Sequence, residues 1–277
     1  LNFGFKFNGS LELHDTFGIF FIVKNILSLY IFSIIFMNCY KISINKLINF
    51  YLTFFIVFFY FVSGNTHPQD YRNFKKIEME ILKDDKVIGF SNYFFNYKNQ
   101  ILQVENKTKF EIKLLGIKVF SIKSNGIEKY DKNQLISFNS QTYQNEKKKF
   151  VNLELSENKK KYKIVGSSFN GYSDIKNVIG NWWNHDILEA NSQISPLSGS
   201  VKEQVVTFIE KKNIVINKKE YLAEHYKLKS RDPNTPEDKK LNFDIWYSKK
   251  DNLILKIVYN KMGRWEYNVS NVEMYNN

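Results

Sequence analysis

The sequence predicts a mainly β protein. It reads as one large, curved antiparallel meander sheet, a half-barrel or partial barrel, with one helical or looped insert and an N-terminal hydrophobic helix or helices ahead of it. Three observations predict it. From residue 65 onward apolar side chains recur with period two, the mark of strands that bury one face. Short polar turns such as Lys83-Asp84-Asp85-Lys86 and Tyr97-Lys98-Asn99-Gln100 join these segments, as antiparallel neighbours require. Only residues 171–200 drop the pattern. A single twisted sheet holding more than about ten strands has to curl.

The elements follow in order. Ile77, Met79 and Ile81 alternate with Glu78 and Glu80, and Ile88 and Phe90 resume after the turn. Leu102 and Val104 open a long strand that continues through Phe110, Ile112 and Leu114. Leu115-Gly116-Ile117 breaks it, and Val119 or Phe120 with Ile122 begins the next. Further strands are predicted over 135–142, 150–155 and 162–165, then over 205–209, 221–228, 241–247, 253–259 and 265–269. Between these two sets lies the insert, GYSDIKNVIGNWWNHDILEANSQISPLSGS, with a helical stretch at 184–190 and the adjacent pair Trp182-Trp183. Such an insert plugs the open side of a curved sheet and buries an indole against its inner face. The other reading makes it a lid over a hydrophobic ligand.

The N-terminal region divides in two. From Met37, Lys41 and Lys46 precede an apolar run, Leu47 to Ser63, that ends Val62-Ser63-Gly64. Residues 37–64 therefore read as an export signal cleaved near Gly64, which makes the protein periplasmic. A run of roughly 17 apolar residues also suffices to span a bilayer, so an uncleaved signal anchor, holding the protein in the inner membrane through residues 47–63, is the alternative. Residues 1–36 contain another apolar segment, broken by Lys24, and read as an upstream, non-native extension or an extra membrane helix. Residues 65–277 form a single antiparallel β domain. Removing the signal would remove Cys39, the lone cysteine, which suits an oxidising compartment.

Charge narrows the partners. The 40 basic residues are 37 Lys and three Arg, a net charge of +12. Nucleic-acid sites rely on arginine forks for guanine and phosphate, so no nucleic-acid partner is expected. Runs such as Lys147-Lys148-Lys149 sit at hairpin ends, where water satisfies them. One cysteine and four histidines exclude a caged structural zinc, and no cofactor is expected.

Five short segments carry a resemblance: Val87-Ile88-Gly89, Leu115-Gly116-Ile117-Lys118-Val119, Trp183-Asn184 with Ile187-Leu188, Ser192-Gln193 with Leu197-Ser198-Gly199, and Phe243-Asp244-Ile245-Trp246-Tyr247. Over residues 74–269 the chain resembles an uncharacterised family of exported proteobacterial proteins, a domain of unknown function. The resemblance implies a sheet-rich periplasmic domain similar in style to half-barrel lipoprotein and lipid carriers. It implies no catalytic residues. The Lys- and Asn-rich turns depart from the usual look of that family.

Chemistry is sparse. Gly166-Ser167-Ser168-Phe169 lacks the second glycine of a nucleophile elbow, and no Walker loop, dinucleotide fingerprint or zinc-protease motif occurs. His185 adjoins Asp186, but neighbours on a helix point about 100° apart, so His185 reads as a surface or capping residue rather than half of a dyad. His225 faces away from Glu224, and Asp244 shares its face with Trp246, solvated or paired to a cross-strand Lys. The residues placed to bind a ligand are Trp182, Trp183, His185, Phe243 and Trp246. The expected function is an exported envelope protein, not an enzyme, that holds a lipid-like or other apolar molecule in a concave sheet and meets the membrane only through its N-terminal segment. The alternative is a scaffold acting through protein contacts. A hydrolase stands last.

Overall fold

Alternating side chains and two-residue turns assemble almost the whole domain. The computed structural model describes residues 71–157 and 160–275, so residues 37–64, expected to be an export signal or a signal anchor, and residues 1–36 before them lie outside the described residues. A 3₁₀ turn, Tyr71–Asn73, leads into β1 (Phe74–Lys83), β2 (Lys86–Lys98), β3 (Ile101–Leu114), β4 (Ile117–Asp131), β5 (Gln134–Gln144), β6 (Lys147–Leu155) and β7 (Lys161–Gly166). Then come β8 (Asn170–Asp174), β9 (Val178–Ile179), a 3₁₀ turn at His185–Leu188 and β10 (Ser192–Ile194). The chain ends with β11 (Val201–Ile216), β12 (Lys219–Ser230), β13 (Asn242–Ser248), β14 (Leu253–Asn260) and β15 (Arg264–Met274).

These strands form one sheet in the order β8-β7-β6-β5-β4-β3-β2-β1-β15-β14-β13-β12-β11-β10-β9. Its ladders are antiparallel, except that β9 and β10 run parallel. The curled meander expected from the sequence is therefore present, with a mixed element at one edge. Both edge strands are consecutive in the chain, joined by Ile175, Lys176 and Asn177. A link that short holds the ends of the two edges within about 14 Å of each other. The sheet thus curls through nearly a full turn without a closing ladder.

The hairpin turns impose the twist. In the turns Asp84-Asp85, Asn99-Gln100, Leu115-Gly116, Lys132-Asn133, Asn145-Glu146 and Asn217-Lys218 both central residues have positive φ. That geometry matches the right-handed twist of the flanking strands, and Asn, Asp and Gly tolerate it best. Leu115, at φ 50°, is the apolar exception.

Inward-facing residues make one large core. Ile77, Met79, Val104, Val151, Leu153, Ile164, Ile245 and Ile257 are all buried there, and the insert adds Trp183, Ile187 and Ile194. A smaller cluster joins Ile81, Phe110, Ile122 and Trp265.

The insert departs from expectation. Part of it extends the sheet as β8, β9 and β10, and the helix predicted at 184–190 shrinks to a four-residue 3₁₀ turn. A seven-residue stretch is too short to hold a helix by itself. Here the Gln204 amide supplies the missing bonds, donating to the carbonyls of Ile187 at 2.8 Å and Ala190 at 2.9 Å.

Gly89 is where two strands approach too closely for a side chain. A Cβ there would lie 2.1 Å from the Lys109 carbonyl oxygen and 2.4 Å from Phe110 Cβ. Gly89→Ala is expected to lower the unfolding free energy by about 1–3 kcal/mol, measured by urea denaturation. Gly126→Ala, whose nearest neighbour is the Phe138 ring edge at 3.2 Å, is expected to cost less. Equal effects would count against the tight β2–β3 crossing.

Candidate functional site

The insert enters the concavity and is caught there by a carboxylate. Along β4, Ile122, Gly126, Glu128 and Tyr130 share the inward parity and are buried. Glu128 is only 2% exposed. Its Oε1 accepts from Asn181 Nδ2 at 2.7 Å and from Trp183 Nε1 at 3.0 Å, and its Oε2 accepts from the Tyr130 hydroxyl at 2.5 Å. Burial pushes the Glu128 carboxyl up to about 7, against the pull of these three donors. At neutral pH a proton there is in balance.

Trp183 fills the space beside it, 1% exposed. Its indole meets Tyr71, Phe95 and Tyr130 edge-on, with centroids 4.9, 5.4 and 5.6 Å away. Such edge-to-face contacts suit the ring quadrupoles and add to the area buried. Tyr71 reaches in from the 3₁₀ turn before β1. Its hydroxyl accepts from the His185 backbone N–H at 3.1 Å and lies against His185 Nδ1 and Asn184 Oδ1.

His185 is therefore neither at the surface nor a cap. It is buried, and its ring stacks on Tyr247 at 4.9 Å. Burial lowers its pKa, only partly opposed by Asp186, which leaves a neutral imidazole whose Nδ1 faces the Tyr71 hydroxyl. The cap is Asn184, whose side chain accepts from the Asp186 N–H at 2.9 Å. Trp182 is half-buried against Phe243, centroids 5.1 Å apart, and its backbone N–H donates to the Tyr93 hydroxyl at 3.2 Å.

The structure thus brings four of the five expected ligand residues, Trp182, Trp183, His185 and Phe243, to the insert and the face it covers. Trp246 lies on the other face of β13. There His225 lies flat on its indole, 4.4 Å away and 5° from parallel, and bonds Asp244 Oδ1 at 3.0 Å. Lys227, directly across the ladder, donates to Asp244 Oδ2 at 2.7 Å, the cross-strand partner foreseen for it. Burial alone would raise the Asp244 carboxyl, but these two bonds hold it below its ordinary value.

A cleft of about 270 Å³ opens between the insert and the β4–β5 turn. Tyr130, Gln134, Tyr162, Asn177, Asp186 and Glu189 are among its lining, and none of the five expected ligand residues is. Among the described residues no group of His, Cys, Asp and Glu could hold a metal ion, and no helix is long and apolar enough to cross a membrane. Sequence reasoning missed Glu128, Tyr71, Asn181 and Gln204. For Glu128 a signal existed: it keeps the parity of Ile122 and Tyr130.

Glu128 makes stability depend on pH in a defined direction. Its folded pKa of about 7 lies above the ordinary 4.5, so its contribution is full below pH 4.5 and is lost as pH rises towards 7. Glu128→Gln carries no charge to desolvate. The difference in unfolding free energy between variant and wild type is expected to move by about 3 kcal/mol in the variant's favour between pH 4.5 and 7, read from urea midpoints. A difference that stays constant over that range would show that Glu128 does not titrate there.

Two comparisons bear on this architecture, and no curated protein matches the chain. The chain is similar to the crystal structure of a beta-barrel-like protein of the domain of unknown function DUF1849 from Brucella abortus. Identity is 8%, coverage is 73% of this chain and 97% of the other, and the TM-score is 0.51. At that identity the similarity is one of fold. The family model of the domain of unknown function DUF6134 matches residues 79–270, from within β1 to within β15. Because that span includes the sheet, the insert and Glu128, the chain belongs to the DUF6134 family.

Proposed function

We propose that this chain is an exported envelope protein whose β domain works through protein contacts, its concavity filled by its own insert. The observation that carries the reading is Trp183, buried in the concavity and tied to Glu128. Sites for drug-sized apolar ligands run to about 300–1,000 Å³ with mostly apolar linings. The cleft of about 270 Å³ is slightly smaller, and its lining is mixed: Asp186, Glu189, Asn177 and Gln134 stand beside Leu135, Ile175, Val178 and Ile179. Export rests on the basic start and apolar run of residues 37–64, with cleavage near Gly64 or retention in the inner membrane through residues 47–63. No enzymatic role is assigned. The His185 Nδ1 is taken up by Tyr71, and no nucleophile motif accompanies either imidazole.

A second reading, a carrier of a lipid-like ligand, is favoured by one feature. Between β9 and β10 the plug carries only a four-residue 3₁₀ turn, held by a few side-chain bonds from Glu128, Tyr71, Tyr93 and Gln204. Displacing it would empty the space now held by Trp183 and expose Trp182, His185 and Phe243 to a guest.

Native mass spectrometry separates the two. The chain expressed with its own N-terminal segment and purified from the envelope is expected at its bare mass, unchanged by added fatty acid. Lipid that co-purifies, or binds with a change in tryptophan fluorescence, would give the carrier reading precedence. The same mass reports whether residues 37–64 have been removed.

A further inference from the structure

The β3–β4 hairpin rises clear of its neighbours. Its ladder runs to the pair Leu114–Ile117, whereas the β2–β3 ladder stops at Gly89–Phe110 and the β4–β5 ladder stops at Ile122–Gln144. The Asn145 N–H still donates to the Ser121 carbonyl at 3.1 Å, and beyond that bond residues 117–120 carry the tip on for about 13 Å as a two-stranded ribbon. Its end is apolar: Leu115 is 95% exposed, Ile117 70% and Leu114 65%, with Val119 also exposed. Below the tip, Ile112 and Phe120 carry the apolar column down to Phe110, Ile122 and Trp265.

Three features give this tip a use. A two-stranded ribbon alone in water is marginal and gains nothing from leucines at its end. The turn also seats Leu115 at φ 50°, where Asn or Gly is favoured, so the side chain is retained at a local cost. Finally, the tip is convex and ringed by lysine. Lys113 and Lys118 face each other one step below it, and Lys147 and Lys148 are exposed at the next hairpin turn on the same rim. Glu111 and Glu146 pair with Lys113 and Lys118 through exposed contacts of 3.1 and 3.9 Å, which leaves Lys147 and Lys148 as the surplus positive charge of the rim. A convex apolar tip above a cationic collar matches a bilayer interface, where apolar side chains enter the acyl boundary and lysines meet anionic headgroups.

We infer that the Leu114–Ile117 tip is a membrane-contact element that inserts into a lipid surface bearing anionic headgroups. This contact adds to the membrane contact assigned to the N-terminal segment and is independent of what the concavity holds.

The lone cysteine makes the test clean. In a Cys39→Ser background, Leu115→Cys carries a nitroxide in the full chain reconstituted into phosphatidylethanolamine–phosphatidylglycerol vesicles. Val215→Cys, 71% exposed near the β11–β12 turn at the opposite end of the strands, serves as control. The label at position 115 is expected to gain accessibility to oxygen and lose it to an aqueous nickel chelate, while the control stays open to the chelate. Three results would overturn the inference. The label could remain as open to the chelate as the control. It could be shielded from both reagents, as against a second protein copy. It could sit at the same depth in phosphatidylcholine vesicles, as it would if the N-terminal segment alone pressed the domain onto the bilayer.

Discussion

A buried carboxylate with three donors is the constraint on which the rest of the architecture turns. A curled sheet of this size encloses more space than its own strand side chains fill, and the insert fills the remainder. The insert has little regular structure of its own, so its position depends on side-chain bonds. Glu128 holds it through Asn181 and Trp183, Tyr71 holds it through His185, and Gln204 holds the backbone of the 3₁₀ turn. Of these, Glu128 alone is ionisable with its pKa near neutrality, so the plug is held most economically when that group carries a proton.

The two faces of β13 show how the middle of the sheet is built. Phe243, Ile245 and Tyr247 serve the core beneath the insert. Trp246 serves the opposite face, sandwiched by His225 and with the Lys256 ammonium 5.8 Å from its ring. Lys256 in turn bonds Glu266, which also pairs with Arg264. The abundance of aromatics thus divides between two environments with different chemistry, one apolar and one a layered stack of rings and charges.

Most of the strands were legible because each carries its own signal: period two along the strand and a polar turn at its end. Ile77, Met79 and Ile81 needed no partner to be read as one buried face. The insert was not legible in the same way. Its conformation is set by Gln204 and Glu128, 14 and 55 residues from the groups they hold, and no local pattern reports such bonds. Trp183 was legible as a plug because an indole pair in the one aperiodic stretch has few other uses. Glu128 was not, because a glutamate beside Lys129 reads as solvated until its parity with Tyr130 is weighed. Phe243 and Trp246 were grouped as one site although alternation already placed them on opposite faces.

The sheet begins and ends in its middle. β1 lies between β2 and β15, while the strands at both edges come from the centre of the chain. A chain emerging from its N-terminus can therefore lay down β1 to β8 as local hairpins, but one side of β1 stays bare until the last strand arrives. That bare strand carries Ile77, Met79 and Ile81, all destined for burial, and an open edge of this kind invites pairing with the wrong chain. Its partner is nearly two hundred residues away: Ile77 pairs with Val272. Contacts so distant in sequence form slowly. Assembly of the domain is thus gated by its own C-terminus, and a chain cut short before β15 leaves the centre of the sheet open.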